Sequence, residues 1–252
     1  MSPPYDKHEP EEQLAEGTLI SHLLELRSRM MKAVMAVVFV FLGLTPWMNP
    51  VFEFVSKPLR DALPEGSAMI VTEVAAPFLT PMKTAFYVAL FIAMPVVLYQ
   101  VWQFVAPGLY KREKRLAIPL LLSSIVLFYL GIAFAYFIVF KLMFGFFVGA
   151  TPSGVDMTPD ISQYLSFVLG IFLAFGLAFE VPIATVLLIW SGLVSVKALK
   201  KARPYIFLGA FVAGMLLAPD VFSMTLMAIP MYLLYEGGLI MARVLIPEKA
   251  AA

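Results

Sequence analysis

The stretch that most limits what this chain can fold into is ISQYLSFVLGIFLAFGLAFEVPIATVLLIW, residues 161–190, in which Glu180 is the only charged side chain. A hydrocarbon core about 30 Å thick takes roughly 20 apolar residues of helix, and inside it every backbone N–H and C=O must find its partner within the protein. Comparable runs lie at about 30–48, 77–105 and 116–148, and two shorter ones at 205–218 and 221–242. The expected fold class is therefore an all-α integral membrane protein with six transmembrane helices, the last two short. Residues 21–243 form a single transmembrane domain, between an acidic polar tail (1–20) and a short C-terminal tail (244–252).

The first run is expected to end at TPWMNP, where Pro46 and Pro50 interrupt the helix and Trp47 suits an interface. Residues 49–76 then read as a structured extramembrane loop with room for short helices. The fifth run holds only about 14 uncharged residues, and the sixth is interrupted by Pro230 and Glu236, so the two read as a short hairpin turning at Pro219-Asp220. Spans this short mismatch the hydrocarbon core, and the bilayer beside them is expected to thin.

Orientation follows from the cations. Fourteen of the eighteen Lys and Arg residues fall on one side, in the N-terminal segment (Lys7, Arg27, Arg29, Lys32), the loop KREKR (111–115), the stretch Lys197–Arg203 and the tail (Arg243, Lys249). Lys57, Arg60, Lys83 and Lys141 fall on the other. By the positive-inside rule both termini are cytoplasmic, and the localisation expected is the cytoplasmic (inner) membrane of a bacterium. The acids Asp6, Glu9, Glu11, Glu12 and Glu16 ahead of the first run argue against a cleaved signal peptide.

Several functions drop out. The net charge of +1 gives no basic field for nucleic acid. The chain has no cysteine, and His8 and His22 both precede the first run, which removes thiolate sites, HExxH zinc chemistry and any histidine triad within the membrane. Ser123, Ser124 and Ser166 lack an activating base for intramembrane proteolysis. No catalytic residue, metal or cofactor is expected, and the chain does not read as an enzyme.

Three carboxylates remain. Glu180 sits mid-run, where a charge costs roughly 2.5–3.5 kcal/mol on insertion scales, two residues before a helix-disturbing Pro182. It either staples two helices or forms a polar site open to substrate or a partner helix. As a proton-coupling acid it would fit a secondary transporter, the alternative function, although the spans show no internal repeat. Glu25, in HLLELRSRMMK, either pairs with Arg29 at i,i+4 or binds something else, and Glu113 in GLYKREKR either balances its basic loop or does likewise. Both acids fall on the cytoplasmic side next to the bilayer. Two carboxylates among apolar side chains (Leu23, Leu24, Leu26, Met30) suit a cationic ligand joined to an apolar stretch, and arginine above lysine because its fork engages a carboxylate through two bonds.

The motifs SHLLELRSRM (21–30), VTEVAAPFLTPMK (71–83), YQVWQFVAPGLYKREKR (99–115), FGLAFEVP (175–182), ARPY (202–205) and GMLLAPDVFS through AIPMYLLYE (214–236) together resemble the TatC family, core subunits of the twin-arginine protein translocase. The resemblance covers about residues 18–243. It implies a concave six-helix bundle that receives the signal peptides of folded cargo proteins, which carry paired arginines before an apolar segment. It implies that Glu25 and Glu113 contact the arginines, with Arg27, Phe104, Leu23 and Tyr110 shaping the site. Glu180 becomes the polar group of the concave face, and Pro58 and Glu73 belong to a cap over it. TatB-type and TatA-type single-span proteins are implied to dock at the last two helices, within a complex holding several copies of the chain. Here the chain departs from the family: MLLAPD has Ala218 and one proline where a Thr and two prolines are frequent, and Met224 stands where a Gln is frequent. Docking is then expected to rest on packing of Met215, Met224 and Leu226, polar bonds in membranes being worth only about 1 kcal/mol.

Overall fold

A computed structural model describes residues 9–62, 69–105, 114–152, 155, 158–218 and 220–245, with side chains described within 21–57, 69–104, 118–152, 155, 158–218 and 220–245. The described residues are helical apart from turns and one isolated bridge between Ile70 and Asp160.

Helix α1 (Glu9–Leu44) begins well before its apolar run, so the tail expected over 1–20 is helical from Glu9. At 36 residues it is about 54 Å long, longer than a hydrocarbon core. Pro46 does not end it: a three-residue 3-10 turn (Thr45–Trp47) absorbs the proline and leads straight into α2 (Met48–Ala62). Much of what was expected as loop is thus helix, because Pro50 falls in the first turn of α2, where its missing N–H has no intrahelical partner to lose. α2 packs its apolar residues Phe52 and Val55 against the core and buries Ser56.

α3 (Ala76–Val105) is largely apolar and carries Pro81 and Pro95. α4 (Lys114–Phe134) continues through a π-helical segment (Ala135–Val139) into α5 (Phe140–Ala150); the Phe140 N–H bonds the carbonyl of Ala135, five residues back. α6 (Ile161–Ala178) and α7 (Val181–Trp190) form one crossing broken at Phe179–Glu180, where Pro182 has no N–H to carry the ladder on. α8 (Val196–Leu217) and α9 (Val221–Leu245) form a hairpin. Among the described residues five stretches are long and apolar enough to cross a membrane. α8 is not among them because its first two turns carry Lys197, Lys200, Lys201 and Arg203, which leaves a short apolar half.

Small residues decide how closely the helices approach, as expected where the surrounding lipid is as apolar as the side chains. A Cβ on Gly131 would stand 2.4 Å from the carbonyl oxygen of Phe175, so α4 and α6 meet backbone to backbone there, with Phe128 lying over Gly176. A Cβ on Gly214 would stand 2.8 Å from the Met224 carbonyl oxygen across the hairpin, and Gly238 sets α9 against Pro182 and Thr185 of α7. Phe128, Phe175, Met143, Leu165, Ile171 and Met227 fill the core between these contacts. α1 stands apart from this core. It leans on α3 and leaves Phe39, Leu42 and Met35 exposed.

The loop before α3 is clipped to the start of α6. Asp160 caps α6 by accepting the N–H groups of Ser162 and Gln163 through Oδ1, while Oδ2 accepts the Thr72 N–H at 2.9 Å and its hydroxyl at 2.6 Å. The Ile70 N–H bonds the Pro159 carbonyl, and the Ile161 N–H bonds the Ile70 carbonyl. These donors, the Thr72 hydroxyl first, hold the Asp160 carboxyl down at about 2.

Candidate functional site

Where α1 crosses α3, Glu25 lies half-buried and is linked to α3 through Arg29 of its own helix. Arg29, one turn further along α1, donates to Glu25 Oε1 from Nε at 2.9 Å and from Nη2 at 2.5 Å. Its Nη1 donates to Gln103 Oε1 on α3 at 3.0 Å, and Gln103 Nε2 donates to the Tyr99 hydroxyl at 2.6 Å. A turn before Glu25, the His22 ring stacks on Phe104, with centroids 4.5 Å apart. The i,i+4 pairing of Glu25 with Arg29 is therefore present, but it engages Oε1 alone. The array is a carboxylate with Oε1 committed and Oε2 without a partner among the described residues, one turn from the His22–Phe104 stack. It suits a guanidinium.

Helical geometry splits the α1 residues between two faces. His22, Glu25 and Arg29 turn toward α3. Leu23 and Arg27 turn away and, with Leu26, Met30, Met31, Val34 and Met35, line a shallow groove on the outer side. Leu23 is 62% exposed there. Glu25 and Phe104 are thus brought together, and Leu23 and Arg27 are not brought to them. Gln103 and Tyr99 escaped the sequence reading. Within a largely apolar helix no periodicity marks which face meets α1, although Gln103 directly precedes Phe104. Glu113 and Tyr110 lie outside the described residues, as does the side chain of Pro58, whose backbone belongs to α2.

Glu73 is exposed, and its carbonyl accepts the Ala76 N–H in the turn that opens α3. Glu180, at the α6–α7 break, is half-buried. The Ser124 hydroxyl of α4 donates to its Oε2, while Oε1 is buried with no partner among the described residues. The staple is thus real but half-made, with one acceptor facing the apolar interior.

At the hairpin, Met215 is exposed on α8. Met224 packs its backbone and Cγ over Gly214, and Leu226 packs against the core. At the far end of the pair, Arg203 Nη2 donates to Glu236 Oε2 at 2.6 Å and the Tyr232 hydroxyl donates to Oε1 at 2.9 Å. The sequence held the signal for this pair: a hairpin turning at 219–220 places positions 203 and 236 level with each other. Among the described residues no His, Asp and Glu cluster is arranged to hold a metal ion.

The family model of the Sec-independent protein translocase protein (TatC) matches residues 21–230. The chain is 56% identical over 236 residues to the Sec-independent protein translocase protein TatC of Azotobacter chroococcum, covering 93% of this chain and 92% of that one. It is 55% identical over 226 residues to the TatC of Escherichia coli K12, covering 89% and 88%. Among solved structures, a crystal structure of the twin arginine translocase receptor TatC superposes with a TM-score of 0.82 at 40% identity, over 88% of this chain and 98% of that one. A second, of the same receptor in DDM, gives 0.80 at 37% identity.

Proposed function

The chain belongs to the TatC family of Sec-independent protein translocase proteins, and we propose on that premise that it is the receptor for twin-arginine signal peptides. As a family member it is a multi-pass membrane component of the twin-arginine translocase and not an enzyme. The observation that supports the receptor reading is Glu25: Arg29, itself tied to Gln103 of α3, engages its Oε1 and leaves Oε2 without a partner among the described residues, one turn from the His22–Phe104 stack. One signal arginine pairs with Oε2 and lies against the Phe104 ring. Glu113 takes the other, and Tyr110 is the further residue that the family resemblance assigns to this reading. Leu23 and Arg27, on the outer face of α1, make no contact with the arginines in this reading.

Both termini and the KREKR loop face the cytoplasm of a bacterial cell, since the cations cluster there and Lys and Arg resist translocation. Occupancy recruits TatB-type and TatA-type single-span partners to the outer side of the α8–α9 hairpin, within an assembly of several copies. Met215 is the docking residue there; Met224 and Leu226 shape that surface from within by packing the hairpin. Glu180, its Oε2 held by Ser124 and its Oε1 buried, is the intramembrane polar group of the concave face in this reading. Pro58 and Glu73 belong to the cap at its far end.

Photocrosslinking tests the reading. A photoreactive residue at position 25, 104 or 113 should capture a twin-arginine signal, and one at 215 should capture a single-span partner. Capture of a twin-lysine signal with equal yield at 25 and 113 would refute arginine recognition.

A further inference from the structure

A large concavity among the described residues lies away from Glu25. The end of α1, α2, α3, α4 with its π-helical segment, and α6 enclose a cavity of about 1120 Å³. That exceeds the ~300–1,000 Å³ of pockets for drug-sized ligands. Its walls are apolar, Phe91, Ile132 and Phe172 among them, with Trp47 and Phe54 exposed around it. Among the described residues one charged side chain lines it: Lys57 of α2. Next to it lies a second groove of about 490 Å³, lined by Phe140, Phe144 and Lys141. The two share Tyr136 and Phe137, both within the π-helical segment. Phe137 is 68% exposed between them. No carboxylate lines either groove, and neither Lys57 nor Lys141 makes an ion pair among the described residues.

We propose that this double groove is a binding site for one anionic phospholipid. One acyl chain fills the larger cavity and the second the smaller, with the Tyr136–Phe137 ridge between them. The phosphodiester lies at the Lys57 and Lys141 amines. An apolar hollow at membrane depth has no use for water, and acyl chains are the material at hand. Long lysine stems carry their ammonium groups along apolar surface to the level of the headgroups, where basic pockets between helices select anionic lipids. Two ammonium groups in grooves that no described carboxylate lines call for an anion that brings no cation of its own, so the lipid is of the phosphatidylglycerol type and not a zwitterionic one. By the orientation given above it belongs to the extracytoplasmic leaflet. The site stands whether or not Glu25 reads signal arginines.

The test uses the full chain in nanodiscs of phosphatidylcholine doped with phosphatidylglycerol bearing a diazirine on one acyl chain. Labelling should concentrate in residues 47–57 and 129–141. Lys57→Gln and Lys141→Gln should each lower retention of phosphatidylglycerol, counted by native mass spectrometry, by about fivefold, the equivalent of ~1 kcal/mol per lysine. Ala133→Phe, which fills the larger cavity from its wall, should remove the label from 47–57 while leaving both lysines in place. Even labelling of every lipid-facing span would overturn the proposal. So would equal retention of diazirine phosphatidylcholine, or lysine variants that keep wild-type phosphatidylglycerol. A groove that crosslinks the apolar part of a signal peptide and never the lipid would assign it to the cargo instead.

Discussion

Replacing Glu25 by Gln keeps the shape of the side chain and removes its charge, and the structure sets two very different consequences. The cost to folding is small. Glu25–Arg29 is an i,i+4 pair with the carboxylate 36% exposed, worth about 0.3–0.5 kcal/mol in such a setting. The cost to signal binding is larger. A charge-assisted hydrogen bond contributes about 1.5–3 kcal/mol, and partial exposure places this one toward the lower end, so affinity falls about tenfold. Arg29 adds to the loss, because without its carboxylate it confronts the incoming arginine as an uncompensated cation beside Gln103. Arg29→Gln in the Glu25→Gln background should therefore recover part of the binding, whereas in the wild-type background it frees Glu25 from Gln103 and weakens binding. The assay is fluorescence anisotropy of a labelled twin-arginine peptide titrated with the receptor in nanodiscs at several salt concentrations, with the four variants forming a double-mutant cycle. The salt dependence should flatten in Glu25→Gln, since one ion pair fewer is formed. A Kd within twofold of wild type, with the variant inserted normally, would refute the role given to Glu25.

Further perturbations follow from the packing and the clip. Gly131→Ala drives a Cβ into the Phe175 carbonyl and should cost about 1–3 kcal/mol or more, read as a lower Tm in detergent, whereas Gly209→Ala, with open space around its Cβ, should leave Tm unchanged or raise it. The Asp160 carboxyl, held at about 2 against an ordinary 3.8, strengthens the loop clip only while ionised. Its contribution is complete above about pH 4 and disappears as pH falls through 2. Thr72→Val removes the largest of the causes and should move loss of Ile70 amide protection in hydrogen exchange to higher pH. Arg203 and Glu236, 41% and 23% exposed, should show a coupling of about 1 kcal/mol or less in a double-mutant cycle of thermal stability; zero coupling would mean the pair does not tie α8 to α9.

What the sequence settled by itself is whatever depends on local hydropathy. A run such as 161–190 has nowhere to go but across a bilayer, and that holds without knowing any neighbour. The place of the hairpin turn followed from Pro219-Asp220, and with it the level of Arg203 and Glu236. Even the break at Glu180 was legible, because Pro182 lacks an N–H wherever it stands. The extent of α2 was not, since prolines that interrupt a helix interior are harmless in a 3-10 turn or a first turn, and only the path of the chain decides which they occupy.

Tertiary structure decided what the carboxylates touch. Gln103 lies 74 residues from Arg29, and the few polar residues of the largely apolar α3 do not by themselves say which face meets α1. The rotation of α1 divided a motif that reads as one unit, HLLELRSRMMK, into a polar face against α3 and an apolar groove on the outside. Packing likewise turned Met224 onto Gly214 and left Met215 outward. The bilayer dictates that helices form and roughly how long they are, because every segment meets the same solvent. Which side chains meet depends on helix rotation and on where glycines let backbones touch, and those are properties of pairs of helices.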